Sequence, residues 1–239
     1  MKVVKNDLFD YGLEIYQDED LFKFSIDSIL LAEFVENKAG LNTIVDFCTG
    51  NAVVPLILST RLKSKIIGFE IQKNVFKLAF NSILLNSLED RIKIINANLN
   101  EALEYLLPES VDAVTCNPPY FKVSSKSLIN EDNGLALARH EIATNLEEII
   151  VMARYILKNK APIYFVHRPE RLMELINTLT KYKFKVKKLQ FIYSSFSKRA
   201  IIVLVKATKN GADGLIVNPP INIMNYKSFK GIFEQFNTN

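Results

Sequence analysis

The chain has 239 residues, of which 49% are hydrophobic and 23% are charged. This composition excludes intrinsic disorder for most of the chain, and the length suits one large domain or two small ones. The net charge of +4 is divided unevenly, because residues 1–120 carry 11 basic and 17 acidic side chains while residues 121–239 carry 19 and 9. The basic second half suggests a polyanionic partner.

The counts of cysteine and histidine exclude two further classes of protein. Two cysteines cannot build a disulfide framework, and two histidines without a Cys-x-x-Cys pair leave no recognisable zinc site. No apolar run approaches the length of a membrane span, and no secretory signal is recognisable. We therefore expect a cytoplasmic protein with neither a metal nor a membrane partner.

The first forty residues predict a hairpin followed by a helix. Residues 14–17 and 21–24 alternate in hydrophobicity around the acidic turn Asp18-Glu19-Asp20. Ser25 is a suitable N-cap for a helix that would run to about Asn37.

Strands and helices alternate from residue 43 onward. The predicted strands cover 43–47, 65–70, 91–95, 111–116, 161–166, 183–193 and 199–207. The predicted helices cover 52–60, 71–85, 99–107, 146–157 and 170–180, and a polar loop covers 121–138. This order predicts an α/β, Rossmann-like fold: a seven-stranded, mostly parallel sheet with an antiparallel C-terminal edge hairpin and helices on both faces.

We expect the whole chain to form a single domain. The hairpin and first helix would occupy 1–37, the core sheet 38–207, and a C-terminal tail 208–239. The order of elements resembles the class I AdoMet-dependent methyltransferases, and S-adenosyl-L-methionine (AdoMet) is the cofactor that this resemblance implies.

Ligands of open α/β sheets bind beyond the carboxyl ends of the strands, so the residues at these ends are candidate site residues. The first strand of the sheet is followed by a loop that resembles the Asp-x-Gly-x-Gly-x-Gly loop of these methyltransferases. Asp46 and Gly50 match that pattern, whereas Cys48 and Ala52 stand where glycines are usual. Positive φ angles would be costly at the two replaced positions. An ordinary strand-to-helix turn explains this loop about equally well.

Two further strand ends carry candidate cofactor contacts. Glu70 follows the second strand of the sheet about 20 residues after the glycine loop, where a carboxylate can accept hydrogen bonds from ribose hydroxyls. A solvated acid near a helix N-terminus is the alternative. Asn98 stands where the resemblance implies a contact with the adenine amine, and its carbonyl oxygen can accept such a bond.

The strongest motif is Asn117-Pro118-Pro119-Tyr120, directly after the fourth strand of the sheet. Two consecutive prolines fix φ twice and remove two donors, which makes a rigid wall. A proline turn with a surface tyrosine is the alternative. The motif resembles the Asn/Asp-Pro-Pro-Tyr/Phe amino-methyltransferases. The resemblance implies that the Asn117 side chain and the Pro118 carbonyl accept the two amine hydrogens, while Tyr120 stacks on the flat group.

Four stretches resemble one family of these enzymes, the bacterial adenine-N6 methyltransferases that act on a valine tRNA. They are residues 24–32, 138–141, 167–172 and 214–220. The resemblance implies tRNA as partner, the adenine beside the anticodon as target, and Asp27 as a contact of the methionine end of AdoMet. Helix capping by Ser25 and Asp27 explains the first stretch equally well. A protein-glutamine N5-methyltransferase and a non-catalytic RNA-binding module are the alternative functions.

Basic residues of the second half are candidate RNA contacts. Lys183, Lys185 and Lys187 alternate with apolar residues, which places them on one face of a predicted strand. The other candidates are Arg139, Arg168, Lys198 and Arg199. Such a basic rim would bind phosphates, whereas the pocket would choose the base. Lysines that protect an edge strand from aggregation are the alternative.

Overall fold

The strands and helices of the molecule follow the alternation in the sequence. The computed structural model describes residues 2–18, 26–119 and 145–225. The strands are β1 (Val3–Leu8), β2 (Leu13–Asp18), β3 (Thr43–Phe47), β4 (Lys65–Phe69), β5 (Ile92–Ile95), β6 (Ala113–Cys116), β7 (Pro162–His167), β8 (Phe184–Tyr193), β9 (Ala200–Lys209), β10 (Ile216–Val217) and β11 (Ile221–Asn222). The helices are α1 (Ile26–Phe34), α2 (Val53–Arg61), α3 (Lys73–Leu85), α4 (Ala102–Tyr105), α5 (Leu146–Ile156) and α6 (Leu172–Lys181).

The main sheet has the order β10-β8-β9-β7-β6-β3-β4-β5, and β11 also pairs with β8. Strands β3 to β7 pair in parallel, whereas β9 runs antiparallel between β7 and β8. The predicted α/β fold with a mostly parallel sheet and an antiparallel C-terminal hairpin is confirmed. The described sheet has nine strands rather than seven, because β10 and β11 join it. Two-residue strands carry no periodic pattern, so the sequence does not reveal them.

Helices cover both faces of the sheet because its central strands are apolar on both sides. Ile44 and Val45 are neighbours on β3, both are fully buried, and they belong to two different core clusters. The first cluster contains α1, α2 and α3, and the second contains α5 and α6. The two cores hold the sheet rigid, so the carboxyl ends of its strands have fixed positions.

The predicted N-terminal hairpin lies partly outside the described residues, and its first strand has a partner that the sequence analysis did not identify. Residues 14–17 lie in β2, the second strand of the observed hairpin, which pairs with β1 from Val3↔Asp18 to Leu8↔Leu13. Gly12, with φ 64°, completes the tight turn between the two strands. The second strand is also fixed by α3, because the Tyr16 amide donates to Ser82 Oγ at 2.9 Å. Residues 19–25, including the expected cap Ser25, lie outside the described residues.

Most other bounds differ from the prediction by one or two residues. The helix predicted over 99–107 is instead a turn of 3-10 helix (Leu99–Glu101) followed by α4. A similar turn (Pro169–Arg171) precedes α6. The core sheet extends beyond residue 207, because β9 ends at Lys209 and both short strands lie in the predicted tail. Within the described ranges, no helix is long and apolar enough to cross a membrane.

Candidate active site

The carboxyl ends of β3, β4 and β6 lie side by side. On β3, Phe47 is the register partner both of Phe69 on β4 and of Cys116 on β6. The residues that follow these positions therefore leave the sheet at one edge. Cys48, Glu70 and Asn117 come from three separate parts of the sequence and meet here. The sheet thus brings together the predicted cofactor loop and the predicted catalytic motif.

Asp46 fixes the loop that follows β3. Its two carboxylate oxygens accept hydrogen bonds from the hydroxyls of Thr49 and Thr115, each at 2.6 Å. The side chain is 1% exposed, and burial raises the pKa of Asp46 to about 7. These bonds tie the loop to β6, which gives Asp46 a positioning role. A direct contact between Asp46 and the cofactor stays a prediction.

The loop after β3 adopts the left-handed conformation at three alternate residues. The φ angles are 57° at Cys48, 59° at Gly50 and 71° at Ala52. Two of these residues carry a side chain, and the left-handed region costs an L-residue about 1 to 2 kcal/mol. The surrounding bonds impose this shape: the Thr49 amide donates to the Phe69 carbonyl, and the Ala52 amide to the Thr49 carbonyl, both at 3.0 Å. The loop therefore adopts positive φ angles, which glycine favours, at two positions that carry a side chain.

Glu70 binds the backbone on both sides of the candidate cofactor site. Its Oε2 accepts from the Gly50 amide at 3.0 Å, and its Oε1 accepts from the Gln72 amide at 2.8 Å. The residue is 5% exposed, and burial raises its pKa. Each carboxylate oxygen has a second lone pair that can accept from a hydroxyl. The arrangement fits the predicted ribose contact and also orders the loop.

Gly68 is a functional position that the sequence analysis missed. A Cβ atom there would lie 2.7 Å from both Thr49 Oγ1 and Ile94 Cδ1. The loop can thus pack on β4 only because residue 68 has no side chain. An isolated glycine inside a strand pattern is the available signal for such a close approach.

The asparagines after β5 have local partners. The Asn98 carbonyl oxygen accepts from the Asn100 amide at 3.0 Å and so caps the turn that follows. Asn96, which the sequence analysis did not single out, donates from Nδ2 to the carbonyl of Glu70 at 2.8 Å. The bond between Asn96 and Glu70 fixes the chain after β5 next to Glu70. The predicted contact of Asn98 with an adenine amine stays a prediction.

The described part of the predicted catalytic motif is held by α1. Asn117 Nδ2 donates a hydrogen bond to Ser28 Oγ at 3.0 Å. Pro118 is buried and Pro119 is half-buried, which agrees with a rigid wall at the end of β6. Tyr120 lies outside the described residues, as do the polar loop 121–138 and Arg139.

Asp27 is a buried acid one residue before Ser28. Its side chain is 4% exposed in total, and Oδ2 has no hydrogen-bond partner within the described ranges. A buried carboxylate oxygen without a partner is costly, so a cationic or hydrogen-bonding ligand would stabilise it. The capping role of Ser25 lies outside the described residues, and both interpretations of this stretch therefore remain.

The two cysteines do not form a nucleophilic site. Cys116 is fully buried at the end of β6, and burial, together with its interaction with the neighbouring Cys48 thiol, raises its pKa. A reactive cysteine needs the opposite, a lowered pKa and access to solvent. Cys116 therefore serves as a small packing group behind the site.

Of the three lysines predicted to share one strand face, only Lys185 and Lys187 lie on β8, and both reach Asp213. Lys183 precedes β8 with φ 61°, and the strand has a register shift between Val186 and Lys188. Lys185 pairs with the Asp213 carboxylate at 2.7 Å, and Lys187 donates to the Asp213 carbonyl at 2.9 Å. β10 and β11 pair with β8 only at residues 188–189 and 192–193, so the first part of β8, which carries Lys185 and Lys187, has no outer strand among the described residues.

The other candidate RNA contacts lie at one end of the β7–β9 region. Arg168 follows β7 and donates to the Ile201 carbonyl at 3.2 Å. Lys198 and Arg199 are exposed in the turn between β8 and β9. Contact between RNA and these residues, or the β8 lysines, stays a prediction. No group of three or more acidic, cysteine or histidine side chains in the described ranges is placed to hold a metal ion.

Solved structures define the class of this fold. A predicted O-methyltransferase from Agrobacterium tumefaciens superimposes with a TM-score of 0.67 at 20% identity, over 89% of this chain and 95% of that protein. The TYW2 protein of P. horikoshii, solved with MeSAdo, gives a TM-score of 0.59 at 17% identity and covers 88% and 72% of the two chains. The fold is therefore that of the AdoMet-dependent methyltransferases, as the order of elements predicts.

Curated relatives narrow the resemblance to one family. Proteins named tRNA1(Val) (adenine(37)-N6)-methyltransferase are 24% identical in Flavobacterium psychrophilum, over 85% of this chain and 87% of the relative, and 28% identical in Porphyromonas gingivalis, over 71% and 68%. No family model matches the chain. The relatives confirm the resemblance to the valine-tRNA adenine-N6 methyltransferases that the sequence motifs indicate.

Proposed function

We propose that this protein is an AdoMet-dependent methyltransferase that methylates the exocyclic N6 amine of an adenine in tRNA. Adenine 37 of tRNA1(Val) is the target, because the curated relatives are named for this reaction and this chain aligns with most of their length. The observation that carries the proposal is the position of Asn117 and Pro118. They follow β6 at the sheet edge where the β3 loop and Glu70 also lie.

The residues at this edge fit AdoMet. Glu70 is buried beside the loop and can accept hydrogen bonds from ribose hydroxyls. The space beside Gly50 is open, because a Cβ atom built on this residue would have no neighbour within 4 Å. Asp27 offers a buried carboxylate oxygen that lacks a partner in the described part of the chain, which suits the ammonium of the methionine end. When bound, AdoMet supplies an electrophilic methyl group. Cys48 and Asn98 complete the proposed cofactor-binding residues, and Asp46 positions the loop.

Asn117 and Pro118 would make the target amine more nucleophilic. The adenine N6 lone pair is delocalised into the ring, so a free amine attacks poorly. The Asn117 carbonyl oxygen and the Pro118 carbonyl accept one N–H each, which favours a lone pair directed out of the ring plane. Pro119 keeps the wall rigid, and Tyr120 stacks on the base. No strong base is required: methyl transfer would leave the neutral thioether S-adenosylhomocysteine and a positively charged, acidic N6, whose proton would then pass to water.

The basic half of the chain would bind the tRNA backbone. Arg168, Lys198 and Arg199 lie in exposed segments, and Arg139 follows the catalytic motif in the sequence. Lysine and arginine contacts to phosphate give affinity without sequence information. Base choice would come from the site around Asn117. An adenine in a single-stranded anticodon loop can enter that site more easily than one in a duplex.

The direct test is methyl transfer from labelled AdoMet to tRNA that lacks the modification, followed by mapping of the methylated base. We expect label at N6 of adenine 37 in tRNA1(Val). Asn117→Ala should retain AdoMet binding and lose transfer, whereas Asn74→Ala, an exposed asparagine on α3, should leave both unchanged. Full activity of Asn117→Ala contradicts the mechanism.

Two outcomes would point to the alternatives. Label on a protein glutamine with none on RNA would indicate an N5-methyltransferase. Binding of RNA without any binding of AdoMet would indicate a non-catalytic RNA-binding module. The names of the curated relatives favour neither.

A further inference from the structure

One carboxylate is surrounded by three ammonium groups behind the candidate active site. Glu36 accepts from Lys188 and Lys206 at 2.6 Å and from Lys38 at 2.8 Å. Although burial opposes ionisation, the three lysine hydrogen bonds lower the pKa of Glu36 to about 2. The carboxylate is thus charged at neutral pH, and two positive charges of the cluster have no carboxylate to balance them.

This cluster borders an open cavity of about 450 Å³ at the amino ends of β3, β6 and β7. Further lysines line the cavity, and the one acid in its lining, Asp112, is engaged by Lys158 at 2.6 Å. The lysines in the lining or directly behind it are Lys38, Lys158, Lys160, Lys187, Lys188 and Lys206. Six lysines against Glu36 and Asp112 leave a surplus of four positive charges in this described region.

The lining suits phosphate groups better than a base or an apolar ligand. Lysine ammonium groups are mobile point charges that bind phosphate without fixed geometry. The cavity has one aromatic ring, Tyr164, which is 1% exposed and has the Lys206 ammonium 5.9 Å from its ring centre. A base would therefore find no exposed stacking surface, whereas an anion would find four uncompensated charges.

Helix α1 connects this cavity with the candidate active site. Ser28, which holds Asn117, lies near the start of the helix, and Glu36 lies two residues after its end. The eight intervening steps correspond to about 12 Å along a helix axis. Successive phosphates on one strand of duplex DNA are about 3.4 Å apart along the helix axis. At a comparable spacing, a few nucleotides of RNA are enough to cover this distance.

We propose that the lysine cavity around Glu36 is a second RNA-binding site, which takes backbone phosphates of the tRNA while its adenine occupies the Asn117 site. This inference rests on the proposed function. It differs from the predicted rim of Arg168, Lys198 and Arg199, because the cavity lies at the opposite edge of the sheet.

The test is the salt dependence of tRNA binding to a Lys38→Gln/Lys160→Gln variant. Both side chains are exposed, and Glu36 keeps two lysine partners, so the fold should remain intact. Loss of two phosphate contacts should reduce the slope of log K against log salt by about 1.4. The matched control is Lys77→Gln/Lys93→Gln, on exposed positions of α3 and β5, which should leave the slope unchanged.

The outcomes separate this site from the reaction itself. An unchanged slope in the cavity variant overturns the proposal. A second outcome is that the slope of log K against log salt is about 1.4 smaller for the cavity variant than for the wild type, while the wild type methylates no adenine. In that case the second RNA-binding site stands and the proposed reaction fails. Pyrophosphate is the probe for a small ligand. If it binds the wild type but not the variant while the RNA slope is unchanged, the cavity takes a free phosphate compound and not RNA.

Discussion

The amide nitrogen of Asn117 donates to the hydroxyl oxygen of Ser28 at 3.0 Å, across 89 residues of sequence. The bond fixes which way the Asn117 amide faces. With its nitrogen directed at α1, the amide turns its oxygen away from that helix. The Asn117 oxygen, the proposed acceptor for the adenine amine, would thus be oriented before any substrate binds.

Replacement of Ser28 tests this orientation. Ser28→Ala should lower the rate of methyl transfer roughly 2-fold to 12-fold, the equivalent of one hydrogen bond of about 0.5 to 1.5 kcal/mol. AdoMet affinity should stay unchanged. Ser28→Thr keeps the hydroxyl and should recover most of the rate. Single-turnover transfer and calorimetric AdoMet binding are the measurements.

Ser59 provides the matched control for this experiment. It is a buried serine on α2 whose hydroxyl donates to the Leu56 carbonyl at 2.6 Å. Ser59→Ala should change stability but not the turnover of the folded protein. If Ser28→Ala and Ser59→Ala have the same effect on turnover, Ser28 has only a structural role.

Replacement of Glu70 by Gln should weaken AdoMet binding. Glutamine offers one acceptor oxygen, so either the Gly50 or the Gln72 amide would face an NH2 group. A buried donor without a partner costs about 1 to 3 kcal/mol of folding stability. The cofactor loop held by Glu70 would then be less well ordered, and the ribose would lose one of its proposed acceptors, so AdoMet affinity should fall. Titration calorimetry with S-adenosylhomocysteine measures the change. Glu89→Gln, at an exposed position, is the control, and equal affinities in the two variants would contradict a role for Glu70.

A methyl group at residue 68 should displace the cofactor loop. Gly68→Ala places a Cβ 2.7 Å from Thr49 Oγ1, so the loop must shift, and overpacking of this kind costs about 1 to 3 kcal/mol. We expect a lower midpoint of thermal unfolding together with weaker AdoMet binding. Gly50→Ala is the comparison, because its Cβ would contact nothing within 4 Å and only the positive φ is strained. If Gly68→Ala unfolds at the same temperature as the wild type and binds AdoMet equally well, the loop does not need the space beside Gly68.

His167 should make the protein sensitive to acid. Burial, assisted by the nearby charge of Arg171, lowers its pKa to about 4, below the ordinary value of 6.5. The folded state therefore binds fewer protons than the unfolded state between these values. The stability contributed by neutral His167 is complete above pH 6.5 and is lost as the pH falls toward 4, by up to about 3 kcal/mol.

The non-titrating variant His167→Gln isolates this effect. Denaturant unfolding at several pH values should show a smaller loss of stability between pH 6.5 and 4 for the variant than for the wild type. Parallel curves for the two proteins would mean that other groups cause the acid sensitivity.

The sequence predicts the sheet well because its central strands are short apolar runs with polar ends. β3 has the predicted bounds of 43–47. The pairing of β2 with β1 is missed because β2 is held in place by distant contacts with α3, through bonds such as Tyr16 to Ser82 that span 66 residues. No local pattern encodes such a bond.

In the candidate site too, local sequence patterns identify some residues, whereas others are identified only by contacts between distant parts of the chain. Glu70 and Asn117 are found from the sequence because strand ends and motifs identify them. Ser28 and Gly68 act through contacts with Asn117 and Thr49, and only the folded chain reveals those contacts.

The left-handed residues Cys48 and Ala52 have a consequence for binding kinetics. The fold holds them in a conformation that a free peptide of this sequence would rarely visit. The entropy of ordering the loop is therefore lost during folding and not when the ligand arrives. Association with AdoMet should then proceed as with a rigid receptor, in a single phase whose rate rises linearly with ligand concentration.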